Sequence, residues 1–177
     1  MLLFICSGSA CPCSLVVAQK ARMIACNLPD EAATQSAGAK LATLLKSGDV
    51  VALYGELGAG KTTLCRGLIS ALVEAETDVP SPTYTLVQTY DAPDFPVYHF
   101  DLYRLKSPDE LIELGWEDTQ NGLALIEWPE RAGDQLPAWR LDVHLKPSED
   151  GRTLTLAGHS EDWQTRLNGF RFDDTPG

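Results

Sequence analysis

No stretch of this chain approaches the roughly 18 consecutive apolar residues that a membrane-spanning helix needs, so an integral membrane role is not expected. Basic residues are scarce. Against 25 Asp and Glu there are only 14 Lys and Arg, for a formal net charge of -11. A surface that acidic repels phosphate backbones at long range, which argues against direct, tight binding of nucleic acid by this chain alone. The five cysteines, Cys6, Cys11, Cys13, Cys26 and Cys65, are odd in number and irregularly spaced. That excludes a disulfide framework. Cys11-Pro12-Cys13 stands too isolated for a zinc site, and the three histidines, His99, His144 and His159, do not complete one. Reduced thiols in a reducing, cytoplasmic setting are the expectation. Internal repeats and linker-like stretches are also missing. With 177 residues, 44% of them hydrophobic and 22% charged, the chain suits one packed domain.

The first 22 residues differ from the rest. They are apolar and cysteine-rich, contain no acid, and carry Lys20 and Arg22 after the apolar part. A secretory signal has the opposite order, with its positive charge first. Residues 1–22 are therefore expected to be a non-structural extension, either from a start assigned too early, with Met23 as the working start, or as a genuine but disordered extension. Residues 23–177 are expected to form the domain.

Leu28-Pro29-Asp30-Glu31 opens a helical pattern that runs to Leu45 and stops at Ser47-Gly48-Asp49. Val50–Tyr54 is a continuous apolar run, which reads as a buried strand. After a glycine-rich turn, Lys61 to Val73 reads as a helix. Pro80 to Thr83 is a loop, Tyr84 to Tyr90 alternates like a strand, and Val97 to Tyr103 is a further apolar run. Ser107-Pro108-Asp109-Glu110 has the form of a helix start. Leu123 to Ile126 reads as another buried strand. Leu141 to Leu145 and Thr153 to Leu156 flank Asp150-Gly151, a hairpin signal. The fold class that follows is α/β: a single domain with a mixed central sheet flanked by helices.

The segment Gly55-Glu56-Leu57-Gly58-Ala59-Gly60-Lys61-Thr62 carries the spacing of a phosphate-binding loop. Its glycines, with Ala59 between the last two, let the backbone curl so that N–H groups meet phosphate oxygens. The helix that starts after Gly60 adds its positive dipole end. Lys61 reaches β- and γ-phosphates, and the Thr62 hydroxyl, followed by Thr63, suits Mg²⁺, a cation that prefers oxygen ligands. The loop follows an apolar strand and opens a helix, the context that such a loop requires. An Asn-Lys-x-Asp base-reading motif is absent, and Asp-x-x-Gly occurs only at Asp174–Gly177 with no strand before it. ATP with Mg²⁺ is the expected ligand, in a P-loop NTPase-like domain.

Such a loop works with a carboxylate at the end of a neighbouring strand. Asp101 ends one apolar run and Glu127 ends another. In α/β sheets ligands gather at the carboxyl ends of strands. Asp101 either serves there or caps the following turn; Glu127 either serves there or is a solvated strand end. Trp128 reads as a core or rim aromatic or as a surface contact. Arg104 reads as a partner of a phosphate, of Asp101 or of Glu110.

Four segments in this order and spacing, Gly55–Thr63, Ser81–Val87, Tyr98–Leu105 and Ile126–Pro129, resemble the TsaE (formerly YjeE) family of bacterial ATPases of tRNA threonylcarbamoyladenosine biosynthesis. The resemblance runs from about Leu28 to about Leu156. It implies that Thr62 and Glu127 hold Mg²⁺ and that Asp101 is needed for hydrolysis. It implies that Thr83, in the Ser81–Thr83 segment, belongs to a switch loop near the γ-phosphate. It also places Asp30, Glu31 and Arg152 where the family contacts the nucleoside. The implied partners are the TsaD and TsaB proteins, which carry out the transfer, with tRNA met only through that complex. Two other readings compete. A small-molecule P-loop kinase needs a lid with several arginines, and beyond Leu105 only Arg131 and Arg140 precede the terminal hairpin. A pure binding switch would not need two strand-end carboxylates.

Overall fold

The structure, a computed structural model, describes residues 23–73 and 78–172. The expected extension over residues 1–22 lies outside the described residues. The elements are β1 (Met23–Leu28), α1 (Glu31–Ala42), β2 (Val50–Tyr54), α2 (Lys61–Leu72), β3 (Val87–Asp91), β4 (Pro96–Asp101), α3 (Glu110–Glu113), β5 (Leu123–Glu127), β6 (Leu141–Ser148), β7 (Gly151–Gly158) and α4 (Glu161–Leu167). One seven-stranded sheet has the order β1-β7-β6-β2-β5-β4-β3. Strand β2 pairs in parallel with β5 and with β6, and β4 pairs in parallel with β5. The pairs at both edges are antiparallel. The mixed α/β sheet expected from the sequence is therefore the fold.

Strand β2 is apolar throughout because it lies mid-sheet with both faces covered. Val51 and Leu53 face the larger core with Leu41 of α1, Leu64 and Leu68 of α2 and Trp163 of α4. Val50, Ala124 and Ile126 face a second core with Phe100, Leu102 and Leu111. Strand alternation thus puts Leu123, Leu125 and Glu127 on the α2 face. The same alternation puts Val97, His99 and Asp101 there too, because Asp101 pairs with Glu127 across the ladder.

Local signals explain the ends. The Asp30 side chain accepts from the Ala33 N–H at 2.7 Å and starts α1. The residues before Asp30 are not helical: they form β1, paired with β7, an edge strand that the sequence reading did not foresee. The strand expected over Tyr84–Tyr90 begins only at Val87. Leu86 stands at φ 64°, and its N–H closes a turn to the Pro82 carbonyl at 2.7 Å. The run expected to reach Tyr103 ends at Asp101, whose side chain takes the Tyr103 N–H at 3.0 Å and turns the chain into a 3-10 segment, Leu102–Arg104. The helix starting near Ser107 has only four residues, since Gly115 follows at φ 79°. Helix α4 was also unforeseen. Arg166 anchors it, donating to Asp49 at 2.5 and 2.8 Å and to the Leu44 carbonyl at 2.7 Å.

Helices α1 and α2 cross at two glycines. A Cβ on Gly67 would stand 2.0 Å from the Gln35 carbonyl oxygen, and one on Gly38 would stand 2.2 Å from that of Leu64. Helix propensity alone favours alanine over glycine by about 0.5–1 kcal/mol. Backbone overlap here reverses the sign. Gly67→Ala is expected to destabilise the fold by about 1–3 kcal/mol, the usual cost of overpacking, read as a lower urea midpoint. A stabilised variant would refute the close crossing.

Candidate functional site

The loop between β2 and α2 bends through three glycines with positive φ: Gly55 at 152°, Gly58 at 80° and Gly60 at 102°. Gly60 has no side chain with which to cap α2, so the first-turn N–H groups have no side-chain acceptor. Lys61 opens the helix, and its Nζ turns back on the loop. It donates to the Gly55 carbonyl at 2.7 Å and to the Glu56 carbonyl at 3.0 Å. It also sits 3.9 Å from the centroid of the Trp128 ring. Burial pushes the Lys61 pKa below its ordinary value, and the nearby carboxylates of Glu127 and Asp101 oppose that shift.

Thr62, one residue on, points at the end of β5. Its hydroxyl lies 2.8 and 3.0 Å from the two Glu127 carboxylate oxygens and donates to them. His99 Nε2 approaches Glu127 Oε1 at 2.9 Å from β4. Glu127 is only 2% exposed, so it is not a solvated strand end. Asp101 holds two bonds. One oxygen caps the 3-10 segment, and the other accepts from the Thr83 hydroxyl at 2.6 Å. The Ser81 hydroxyl lies 2.7 Å from that of Thr83. The loop 81–83 is thereby tied to the strand end.

Lys61, Thr62, Thr83, Asp101 and Glu127 line one cavity of about 270 Å³, closed on one side by Trp128. Trp128 adopts φ 59°, rare for a bulky side chain, and packs against Tyr103 with ring centroids 4.9 Å apart. Gly58, Gly60 and Thr63 line the cavity too, while Ala59 is buried behind them. The other predicted residues are not among those that line it. Arg152 packs against Gly60, and its Nη1 donates to Thr34 Oγ1 at 3.1 Å. Asp30 is engaged as the α1 cap, and Glu31 is exposed beside it. Arg104 stacks on the Tyr84 ring at 4.4 Å.

Larger cavities exist elsewhere, one of about 490 Å³ between α1 and α2 and one of about 670 Å³ beside Trp116 and Trp139. Neither joins a glycine loop, a lysine and two buried carboxylates, so chemistry and not size selects the site. Thr62 and Glu127 offer hard oxygen donors of the kind Mg²⁺ takes. The sequence reading set cysteine aside, yet the fold brings Cys65 close: its sulfur lies with ligand atoms of His99 and Glu127 within 4.8 Å of one another. Complete burial, then the nearby carboxylates, push the Cys65 thiol well up, which keeps it S–H and a poor ligand. His99 was missed by the sequence reading. Its signal was its place two residues before Asp101, on the same strand face.

A profile of the family described as "Threonylcarbamoyl adenosine biosynthesis protein TsaE" matches residues 28–154. The chain belongs to the TsaE family. It is similar to the tRNA threonylcarbamoyladenosine biosynthesis protein TsaE of Rickettsia conorii, with 43% identity over 140 residues, 77% of this chain and 80% of that one. The Haemophilus influenzae TsaE is 37% identical over 150 residues, covering 81% and 94% of the two chains. The crystal structure of Bacillus subtilis YdiB superposes with a TM-score of 0.71 at 27% identity, over 85% of this chain and 95% of that one. The family profile spans all four segments that carried the resemblance in the sequence, and its first residue, Leu28, is the last of β1.

Thr83 and Asp101 act on stability through one shared bond. Asp101→Ala is expected to cost about 1–2 kcal/mol by losing a cap and an acceptor, and Thr83→Val about 0.5–1.5 kcal/mol. Denaturation of the double variant should show that the Thr83 cost disappears once Asp101 is gone. Additive costs would mean that the hydroxyl does not depend on the carboxylate.

Proposed function

We propose that this chain binds ATP with Mg²⁺ at Gly55–Thr62, hydrolyses it to ADP and phosphate, and acts as the accessory ATPase in threonylcarbamoyl modification of the tRNA adenosine beside the anticodon. The observation that carries this reading is the meeting of Lys61 and Thr62 with Asp101, Glu127 and Thr83 around one cavity. Family membership supplies the pathway.

In this reading the backbone of Gly58, Ala59, Gly60 and Thr63 cradles the phosphates. Lys61 exchanges its two carbonyl acceptors for phosphate oxygens. A phosphate charge there favours the ammonium and offsets the burial that now lowers its pKa. Thr62 and Glu127 would hold Mg²⁺, which when bound neutralises phosphate charge and activates the γ-phosphate. Asp101, oriented by Thr83, directs the attacking water. Asp30, Glu31 and Arg152 flank the loop where the nucleoside is expected. Arg140, one of only two arginines available between Leu105 and the terminal hairpin for a lid that would need several, is committed to Asp142 at 2.7 Å, which disfavours the kinase reading.

TsaD and TsaB are the proposed partners, in the cytoplasm, with tRNA reached only through them. Among the described residues no helix is long and apolar enough to cross a membrane. The net charge of -11 disfavours independent tRNA binding. A nucleotide-dependent loop at Ser81–Thr83 would report the γ-phosphate to the partner complex.

Lys61→Ala is expected to lower phosphate release at least about a hundredfold, the scale of removing one electrostatic stabiliser. Normal turnover by that variant would overturn the loop assignment. Glu127→Ala should still bind nucleotide through loop amides but lose Mg²⁺-dependent hydrolysis. Equilibrium binding to purified TsaD–TsaB should be tight with a non-hydrolysable ATP analogue and weak with ADP. Equal affinity in both states would eliminate the switch, because a ligand without differential affinity moves no equilibrium.

A further inference from the structure

His99 has no task in the reading above, yet its placement is unusual. The imidazole is fully buried, at 0% exposure, on the α2 face of β4. Its Nε2 lies 2.9 Å from Glu127 Oε1. A carboxylate oxygen accepts, so Nε2 carries the proton and donates. The other ring nitrogen, Nδ1, is buried with no hydrogen-bond partner. An apolar side chain would fill the same slot without leaving a buried nitrogen unpaired. The one gain that offsets this cost is the bond to Glu127.

Among the described residues, only Thr62 and His99 donate side-chain hydrogen bonds to Glu127. Thr62 is itself a candidate metal holder, and its hydroxyl would have to turn its lone pairs from this bond to the metal if it ligated one. The His99 ring is locked by complete burial. It is therefore the donor that can hold Oε1 in place in a carboxylate that lines the cavity. Hydrogen-bonding partners behind a ligating carboxylate orient it and set the strength of the metal site.

We propose that His99 is a positioning residue whose Nε2–H fixes Glu127 Oε1 and so sets the affinity of the site for an oxygen-seeking divalent cation. The inference rests on the reading that Glu127 holds Mg²⁺. It predicts that the reach of the donor matters, and not merely the polarity or size of the side chain. Glutamine places an amide N–H close to where Nε2–H stands. Asparagine stops near Nδ1 and cannot reach Glu127.

The test compares His99→Gln, His99→Asn and Glu127→Ala with the parent chain. Phosphate release is titrated with Mg²⁺, ATP binding is measured without metal, and urea midpoints monitor the fold. His99→Asn is expected to raise the half-saturating Mg²⁺ concentration about tenfold while leaving metal-free ATP binding unchanged. His99→Gln should restore most of the parental metal requirement. Equal metal requirements in the Asn and Gln variants, whether both parental or both raised, would overturn the proposal. If Glu127→Ala abolishes Mg²⁺-dependent phosphate release while His99→Asn keeps the parental Mg²⁺ requirement, the proposal alone falls. If Glu127→Ala leaves that release unchanged, the reading of Glu127 falls and takes the proposal with it. Should the Asn variant not fold, ¹H–¹⁵N NMR of the imidazole in the parent chain decides. An Nε2–H tautomer is expected, with a resonance that shifts in Glu127→Gln, and an Nδ1–H tautomer would overturn the proposal.

Discussion

A carboxylate withdrawn from water survives in a fold only if its oxygens are hydrogen-bonded. Glu127 is that carboxylate here, and its needs tie three elements together. Strand β5 carries it at its carboxyl end in the middle of the sheet, α2 offers the Thr62 hydroxyl, and β4 offers the His99 ring. The glycine loop is thereby locked to the strand ends. Lys61 shares the constraint. It lies buried beside Glu127, with two loop carbonyls and the Trp128 ring as partners. The site is a small polar core set into the end of an apolar one.

The apolar frame makes that alignment possible. Helices α1 and α2 pack side by side at close range, and the crossing at Gly38 and Gly67 removes the side chains that would hold them apart. At the other end of β2, Asp49 accepts from Arg166 and pins α4 to the same sheet. The buried Leu and Val of β2, β5 and β6 fill the space between. Position at the site is thus set by packing that lies well away from it.

The acidic surface and the proposed nucleotide chemistry are compatible. A net charge of -11 disfavours nucleic acid at long range, whereas a loop of backbone amides with one buried lysine would suit a polyphosphate locally even against that field. Under the proposed reading, the loop Ser81–Thr83, tied through the Thr83 hydroxyl to Asp101, would supply the movable part of a switch that acts on other proteins.

Much of this was legible in the amino-acid order. Gly55–Thr62 announced itself because local backbone geometry requires its glycines and a phosphate site calls for the lysine and hydroxyl at fixed spacing after them. Val50–Tyr54 and Leu123–Glu127 read as buried strands because full burial demands uninterrupted apolar residues. Asp150-Gly151 read as a hairpin because only certain residues make such a turn. These are local requirements, written in neighbouring residues. What the tertiary structure alone decided is which strand lies beside which, and hence which side chains meet. Edge strand β1 has too few buried positions to announce itself, the Tyr84–Leu86 turn depends on a left-handed Leu86, and α4 is held by the remote Asp49. The partnership of Thr62, His99 and Glu127 joins residues up to 65 positions apart. Their contact depends on β4, β5 and α2 coming together across a mixed sheet, which no local signal encodes.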